Sequence, residues 1–432
     1  MLFYINNRIF VETLMTEPME NTMFARRNVS IDMLRGLTML LMVFVNDLWS
    51  VREVPHFLEH FERFEDGMGV ADIVFPMFLF AMGMSIPYAI ERRFAKGYTG
   101  ESTLGHILSR TLALVVMGAF IVNSEHDFCS VVGYGLDLYR LLFVAAFFLI
   151  WNQYKDGSKV KRGLRVCGVA VLAFLAFSYR TPDGGYFKAG WWGILGILGW
   201  TYCFCAVTYL LARKKPFRIL FVWIALCVVN LLVTRMRGGA QLLPGQTFLT
   251  DLTGVLRLGN GCFAVMTTGG MLLSLAENRL FAKPDLCCFR TLKGEAIPER
   301  KGVMTITSAF LLAAVLAIAA AVLHNWWTVS KLVGTLPWCL YVSSISICLY
   351  VILRALEAHG RIGWFRPLNA SGTATLTVYM MPYVLYSVND YLGLYEYGSL
   401  SGLFGLLKCV AFSLLCVGLT ALLVRLGIKL KI

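Results

Sequence analysis

The chain has 432 residues, of which 58% are hydrophobic and only 15% charged, and its mean hydropathy is +0.67. A soluble domain carries about 25% charged residues, so there is too little polar surface here for a water-soluble fold. The apolar runs are near twenty residues long rather than alternating ten-mers, which excludes a membrane barrel and predicts an all-α, polytopic transmembrane helix bundle.

The first thirty residues lack both a long apolar core and a small-residue cleavage site, so no signal peptide is expected. Met15, Met19 and Met23 are alternative starts. Residues 1–29 read as a cytoplasmic segment, and 30–432 as one transmembrane domain. Twelve spans follow, with eleven as the nearest alternative: about 31–50, 70–91, 103–123, 134–152, 164–179, 190–212, 217–234, 250–276, 303–323, 333–353, 369–387 and 402–426. No internal repeat and no paired Gly/Pro-broken helices are visible, which weighs against a secondary transporter.

Lys and Arg are unequally shared between the two sets of loops. The set beginning with Arg26 and Arg27 holds 26; the opposite set holds seven, namely Arg52, Arg63, Arg180, Lys188, Arg235, Arg237 and Lys331. The positive-inside rule then places both termini in the cytoplasm. The same asymmetry accounts for the net charge of +13 without nucleic acid as a partner. Most of the twelve cysteines lie inside apolar runs, Cys287 and Cys288 lie in a basic loop, and none has zinc-finger spacing. They read as small packing residues.

Charges at membrane depth are costly and mark candidate sites. Arg35 lies early in the first span with Asp32 one turn before it, Arg110 lies in the third span, Arg140 in the fourth and Arg257 in the eighth. Asp72 opens the second span and Asp137 the fourth. The first outer loop runs from Asn46 and Asp47 to Asp72 and contains His56, His60 and five acids. Histidine titrates near neutral pH, so a histidine here is a natural proton acceptor. His56 and His60 are four apart, a spacing that suits a metal on a helix face, but no third ligand is singled out and no metal is expected. GxSxG, Walker and GxGxxG motifs are absent. The residues alone therefore give a polytopic protein with a polar site at its outer face and leave the reaction open.

Two stretches carry a more specific signal: SIDMLRGLTMLLMVFVND (30–47) and EHFERFEDGMGVADIVFPMFLFAMGMSIP (59–87). They resemble the heparan-α-glucosaminide N-acetyltransferase family and its bacterial relatives in the transmembrane acyltransferase superfamily. The pattern "SxDxxRGxxxxxMxxVN", a histidine, then "DGxxxADxVFPxFLFxxGxSI" is matched at Asp32, Arg35, Gly36, Asn46, His60, Gly67, Asp72, Phe75, Pro76, Phe78, Gly83 and Ser85. Weaker echoes occur in AGWWGILGILGW (189–200), HNWWTVSKL (324–332) and PLNASGTATLTVYM (367–380).

The resemblance implies transfer of acetyl from cytoplasmic acetyl-CoA, as co-substrate, to the amine of a terminal glucosaminide or free glucosamine beyond the membrane. It maps the catalytic histidine onto His60 and the asparagine of the "VN" element onto Asn46. Proximity across the loop suggests that Asp72 orients the imidazole. Arg35 and Arg110, near the cytoplasmic ends of their spans, suit the coenzyme phosphates, because guanidinium matches phosphate geometry. Arg140 joins them as a third candidate, placed nearer the outer half. Direct attack and an acetyl-histidine intermediate are both open. The implied setting is the cytoplasmic (inner) membrane of a bacterium, with amino sugar, acetyl-CoA and lipid as partners and a homodimer left open. The alternatives are an O-acyltransferase of envelope polysaccharide, a secondary transporter, and a structural membrane protein.

Overall fold

The computed structural model describes residues 28–125, 128–154, 159–190, 193–213, 215–239, 242, 247–277 and 306–432. The expected cytoplasmic segment, His126, the Trp191–Trp192 pair and the loop with Cys287 and Cys288 lie outside these residues, apart from the segment's last two residues. Among the described residues the architecture is all-α, with fourteen α-helices and a single two-stranded ribbon, in which β1 (Cys129–Ser130) pairs antiparallel with β2 (Tyr179–Arg180).

In chain order the helices are α1 (Val29–Asp47), α2 (Val70–Ala95), α3 (Gly100–Asn123), α4 (Leu136–Trp151), α5 (Lys159–Ser178), α6 (Ile194–Ala212) and α7 (Pro216–Val233). They continue with α8 (Thr247–Val255), α9 (Cys262–Leu275), α10 (Ile306–His324), α11 (Leu336–Ala358), α12 (Asn369–Thr373), α13 (Thr375–Leu392) and α14 (Gly402–Arg425). Eight of them are long and apolar enough to cross a membrane: α1, α2, α3, α6, α7, α10, α11 and α14. The chain is an integral membrane protein.

Each of the twelve expected spans coincides with helix, but two are broken. The eighth divides into α8 and α9 across residues 256–261, where Arg257, Gly259 and Gly261 all have left-handed backbone. The side-chain amide of the neighbouring Asn260 donates to the carbonyls of Val333 and Gly334 at 2.6 and 3.0 Å, which ties the break to the 325–335 segment. Arg257 therefore stands at a helix break and not inside a membrane-crossing helix. The eleventh divides at Ala374 into the single turn α12 and the longer α13. Broken helices are thus present after all; sequence hydropathy runs straight through a glycine-rich break when the flanking residues are apolar.

The centre of the bundle is α2, which is buried over most of its length. It packs on α9 through glycine: a Cβ on Gly83 would lie 1.9 Å from the Thr267 carbonyl oxygen, and one on Gly270 would lie 2.1 Å from that of Phe80. Small residues let two backbones approach closely where no hydrophobic effect drives helices together. The start of α1 is fixed by Asn28, whose side-chain oxygen accepts from the Ile31 amide while its nitrogen donates to Tyr350 of α11. Such a cap satisfies one of the orphan amides of a helix start. With α1 anchored there, Arg35 faces one end of the bundle, and the loop carrying His60 leaves from the other.

Candidate functional site

The loop between α1 and α2 is shaped by two acids. Asp72, in the first turn of α2, is almost fully buried. One of its oxygens accepts the backbone amides of Gly69 and Phe61 at 3.1 and 3.0 Å. The other, Oδ1, is 2.7 Å from Nδ1 of His60. Carboxylate at a helix start also meets the positive end of the helix dipole. Gly69 is required for the close fold-back, since a Cβ there would lie 2.0 Å from the Glu59 carbonyl oxygen. Placing Asp72 places His60.

An ionised carboxylate only accepts, so Nδ1 of His60 carries the proton and donates it to Asp72. Nε2 is left with its lone pair, and among the described residues no hydrogen bond uses it. The His60 side chain is half exposed, at 51%, against 2% for Asp72. A base open to solvent and oriented by a buried acid is suited to taking a proton from an incoming group.

His56 is placed differently. Its Nε2 lies 2.6 Å from Oε1 of Glu65, and its ring stacks on Phe61 with centroids 4.4 Å apart. That hydrogen bond to Glu65 holds the His56 imidazole above its ordinary pKa. The two histidines are bound to separate acids, so their four-residue spacing does not bring them to a common ligand.

The second acid, Asp66, binds the loop to the far side of the bundle. It accepts from the Val329 amide at 2.8 Å, lies 2.9 Å from Nε2 of His324, and pairs with Arg237. Burial works against its charge, but the Val329 amide, His324 and Arg237 outweigh it and hold the carboxyl below its ordinary range. The Gly67 amide closes the clasp on the Val329 carbonyl at 2.9 Å. One residue that sequence reasoning missed arrives through this clasp. Lys331 places Nζ 3.1 Å from His60 Nδ1 and 3.6 Å from Asp72 Oδ1. Burial pushes its ammonium below the ordinary lysine value, with Asp72 pulling the other way.

At the opposite end a cavity of about 430 Å³ opens among α1, α2, α3, α6 and the C-terminal residues. Arg35, Arg92, Arg110, Lys429 and Lys431 line it, with Asp32 as the one acidic side chain among the described lining residues. Arg35 donates to the Thr375 hydroxyl at 3.3 Å, and the Arg110 guanidinium lies over the Tyr202 ring at 4.6 Å. Two of the three arginines expected to act together therefore share a cavity. Arg140 is not in its lining; it lies near Asp137 and Asp390 at 3.7 and 4.0 Å and donates to the Ser124 carbonyl.

The cavity is long. On α2 its lining runs from Arg92 through Ala89, Ser85, Met82 and Phe78 to Phe75. The seventeen residue steps from Phe75 to Arg92 rise about 25 Å. Asp72 continues that stripe one turn further. On α1 the lining residues Arg35, Met39 and Met42 form a stripe with spacings of four and three, and Asn46 is the next position on the same face. Asn46 is exposed in the last turn of α1, and among the described residues no hydrogen bond joins it to His60 or Asp72. Two helix faces thus connect the cationic end to Asn46 and Asp72.

Beside Asn46 lies a second feature that sequence reasoning missed. Asp47 is fully buried and accepts from Nζ of Lys408 on α14 at 2.9 Å and from the Tyr386 hydroxyl on α13 at 3.0 Å. This ion pair fixes the end of α1 against α13 and α14.

Residues 27–236 match a family model described as a domain of unknown function, DUF5009. Over 106 residues the chain is 34% identical to the heparan-alpha-glucosaminide N-acetyltransferase of Mus musculus, covering 24% of this chain and 15% of that protein. The Homo sapiens enzyme of the same name is 35% identical over 101 residues, covering 22% of this chain and 14% of that protein. The chain spans only about 15% of the length of these curated relatives. Similarity to this acetyltransferase family, read from motifs above, is thus matched by aligned sequence over roughly a quarter of the chain.

Proposed function

We propose that this protein is a membrane-embedded acetyltransferase that moves acetyl from acetyl-CoA on one side of a membrane to the amine of a glucosamine on the other. The observation that carries this reading is the cavity. It runs about 25 Å along α2, from a cationic end through a mainly apolar shaft, and helix faces continue from it to Asn46 and the His60–Asp72 pair. In the orientation implied by the Lys/Arg asymmetry, the cationic end is cytoplasmic and both termini are inside; the resemblance to the bacterial branch of the family favours a bacterial cytoplasmic membrane as the setting.

Acetyl-CoA fits this shape by charge: its phosphates cannot enter hydrocarbon, whereas its pantetheine arm is slender. Arg35 and Arg110 would hold the phosphates, with Arg92, Lys429 and Lys431 adding to the field. When bound, the coenzyme supplies an acetyl group activated as a thioester.

The remaining work falls to side chains. Glucosamine is mostly ammonium at neutral pH and must lose a proton to attack. Nε2 of His60 takes it, and Asp72 stabilises the imidazolium through Nδ1–H. The amine nitrogen bonds to the acetyl carbon and the carbon–sulfur bond breaks; the proton that His60 took from the ammonium passes to the departing thiolate, and the extra proton left on the new amide nitrogen is released to water. The Asn46 amide faces the developing carbonyl charge as a donor.

Proteoliposomes loaded with glucosamine and given labelled acetyl-CoA outside, with orientation checked first, test the reading. Labelled N-acetylglucosamine should accumulate inside. Glucosamine leaving unmodified would instead identify a transporter, and label on a hydroxyl an O-acyltransferase.

A further inference from the structure

Lys331 stands 271 residues from His60 in sequence and 3.1 Å from its ring in space. It cannot donate to Nδ1, because that nitrogen carries the hydrogen directed at Asp72. Its other neighbours are Asp72 Oδ1 at 3.6 Å and the Ala71 carbonyl at 3.4 Å. Both are long for strong hydrogen bonds. The ammonium therefore acts on the imidazole mainly as a nearby charge, at a side chain only 20% exposed.

We propose that Lys331 is a positioning residue that holds His60 in its neutral, proton-accepting form, by opposing the proton that Asp72 would otherwise favour. The inference rests on the acetyl-transfer reading for its purpose but not for its test. A carboxylate alone stabilises imidazolium, so the His60–Asp72 pair by itself would tend to take its proton early and be spent as a base. A cation facing the same ring pushes against that second proton. It also pushes the proton off again, once accepted, toward the leaving group.

The charged groups around His60 are accounted for. From α2 comes Asp72, and from the 325–335 segment comes Lys331. Its own loop brings the exposed Glu59, Glu62 and Arg63, with His56 already bound to Glu65. Beyond them Asp66 is shared between Arg237 and His324. Among the described residues, Lys331 is the cation against the ring itself.

The test uses the full-length protein in lipid nanodiscs with ¹⁵N-labelled histidine. The His60 resonance is assigned by its loss in His60→Gln. The ring is titrated in the native protein and in Lys331→Met, Lys331→Gln and Lys331→Arg. Two neutral variants guard against one failing to fold. In Met and Gln the second proton should bind at a pH about one unit higher, and the acid limb of kcat should move with it. Arg should restore both, because it returns the charge. An unchanged ring titration in Met and Gln overturns the proposal, as does a shift of the same size in Arg, which would show that shape and not charge matters. If the native protein transfers no acetyl, the ring titration still decides whether Lys331 acts on His60, and it is the proposed function that falls.

Discussion

At the His60 end Asp66 sits between Arg237 and His324, and Asp72 between His60 of its own loop and the distant Lys331, whereas the described lining of the cavity at the Arg35 end gathers five basic residues around one acidic side chain. Charge at the first end is balanced internally and spent on fixing geometry. Charge at the second is in surplus, and a surplus of one sign in a cavity favours a ligand of the other. The contrast separates a region built to orient a reacting group from one built to hold an anion. Mutations should separate them in the same way, with turnover sensitive at one end and coenzyme affinity at the other.

The largest effect is expected at His60. His60→Ala should lower kcat by about 10²–10⁴-fold, the usual contribution of a positioned acid–base group, with acetyl-CoA binding retained. His56→Ala should stay within about threefold, since its nitrogen is already bound to Glu65 and it serves only the loop. Steady-state kinetics on purified variants would read this. An inactive His56→Ala beside an active His60→Ala would transfer the chemistry to the other histidine.

The cavity should answer in affinity. Arg35→Ala and Arg110→Ala should each weaken acetyl-CoA binding about tenfold by calorimetry, with glucosamine affinity little changed. Arg35→Lys should recover only part of this, because lysine offers a point charge without the planar fork. Arg140→Ala should leave coenzyme affinity unaltered, given its place beside Asp137 and Asp390 away from the cavity lining. Unaltered affinity in Arg35→Ala and Arg110→Ala as well would remove the contrast between the two ends.

How far these two regions could be read in the chain beforehand follows from sequence distance. His60 and Asp72 lie twelve residues apart in one loop, and Arg35 and Arg110 sit in apolar runs where any charge stands out. Lys331 gave no such signal. It is one of seven cations on its side, and its meaning depends on a clasp from Asp66 to Val329 that no local pattern announces. Lys408 was legible in principle, being a charge inside an apolar run like Arg110. Its partner Asp47, however, is at the end of α1, 361 residues away. The breaks at 256–261 and at Ala374 were lost because hydropathy averages over them, although Gly259 and Gly261 were there to mark the first.

The smallest effect concerns the clasp itself and its response to acid. Asp66 is held below the ordinary carboxylate range in the folded protein, so it favours the closed loop at any pH above that range. As pH falls through its depressed folded value, protonation removes the charge that Val329, His324 and Arg237 recognise. The contribution is then lost, first below about pH 4. His324 does not offset this, because a protonated imidazole can only pair with Asp66 while the acid remains ionised. Hydrogen exchange at the Gly67 and Val329 amides should therefore be slow and nearly constant between neutral pH and 5, after correction for intrinsic rates, and rise at lower pH. Asp66→Asn should exchange about tenfold faster already at pH 6 and show no further acid step. Exchange in the variant that matched the native protein across the whole range would mean that the clasp is held by backbone and packing alone, and that the balanced charge at this end serves His60 only through Asp72.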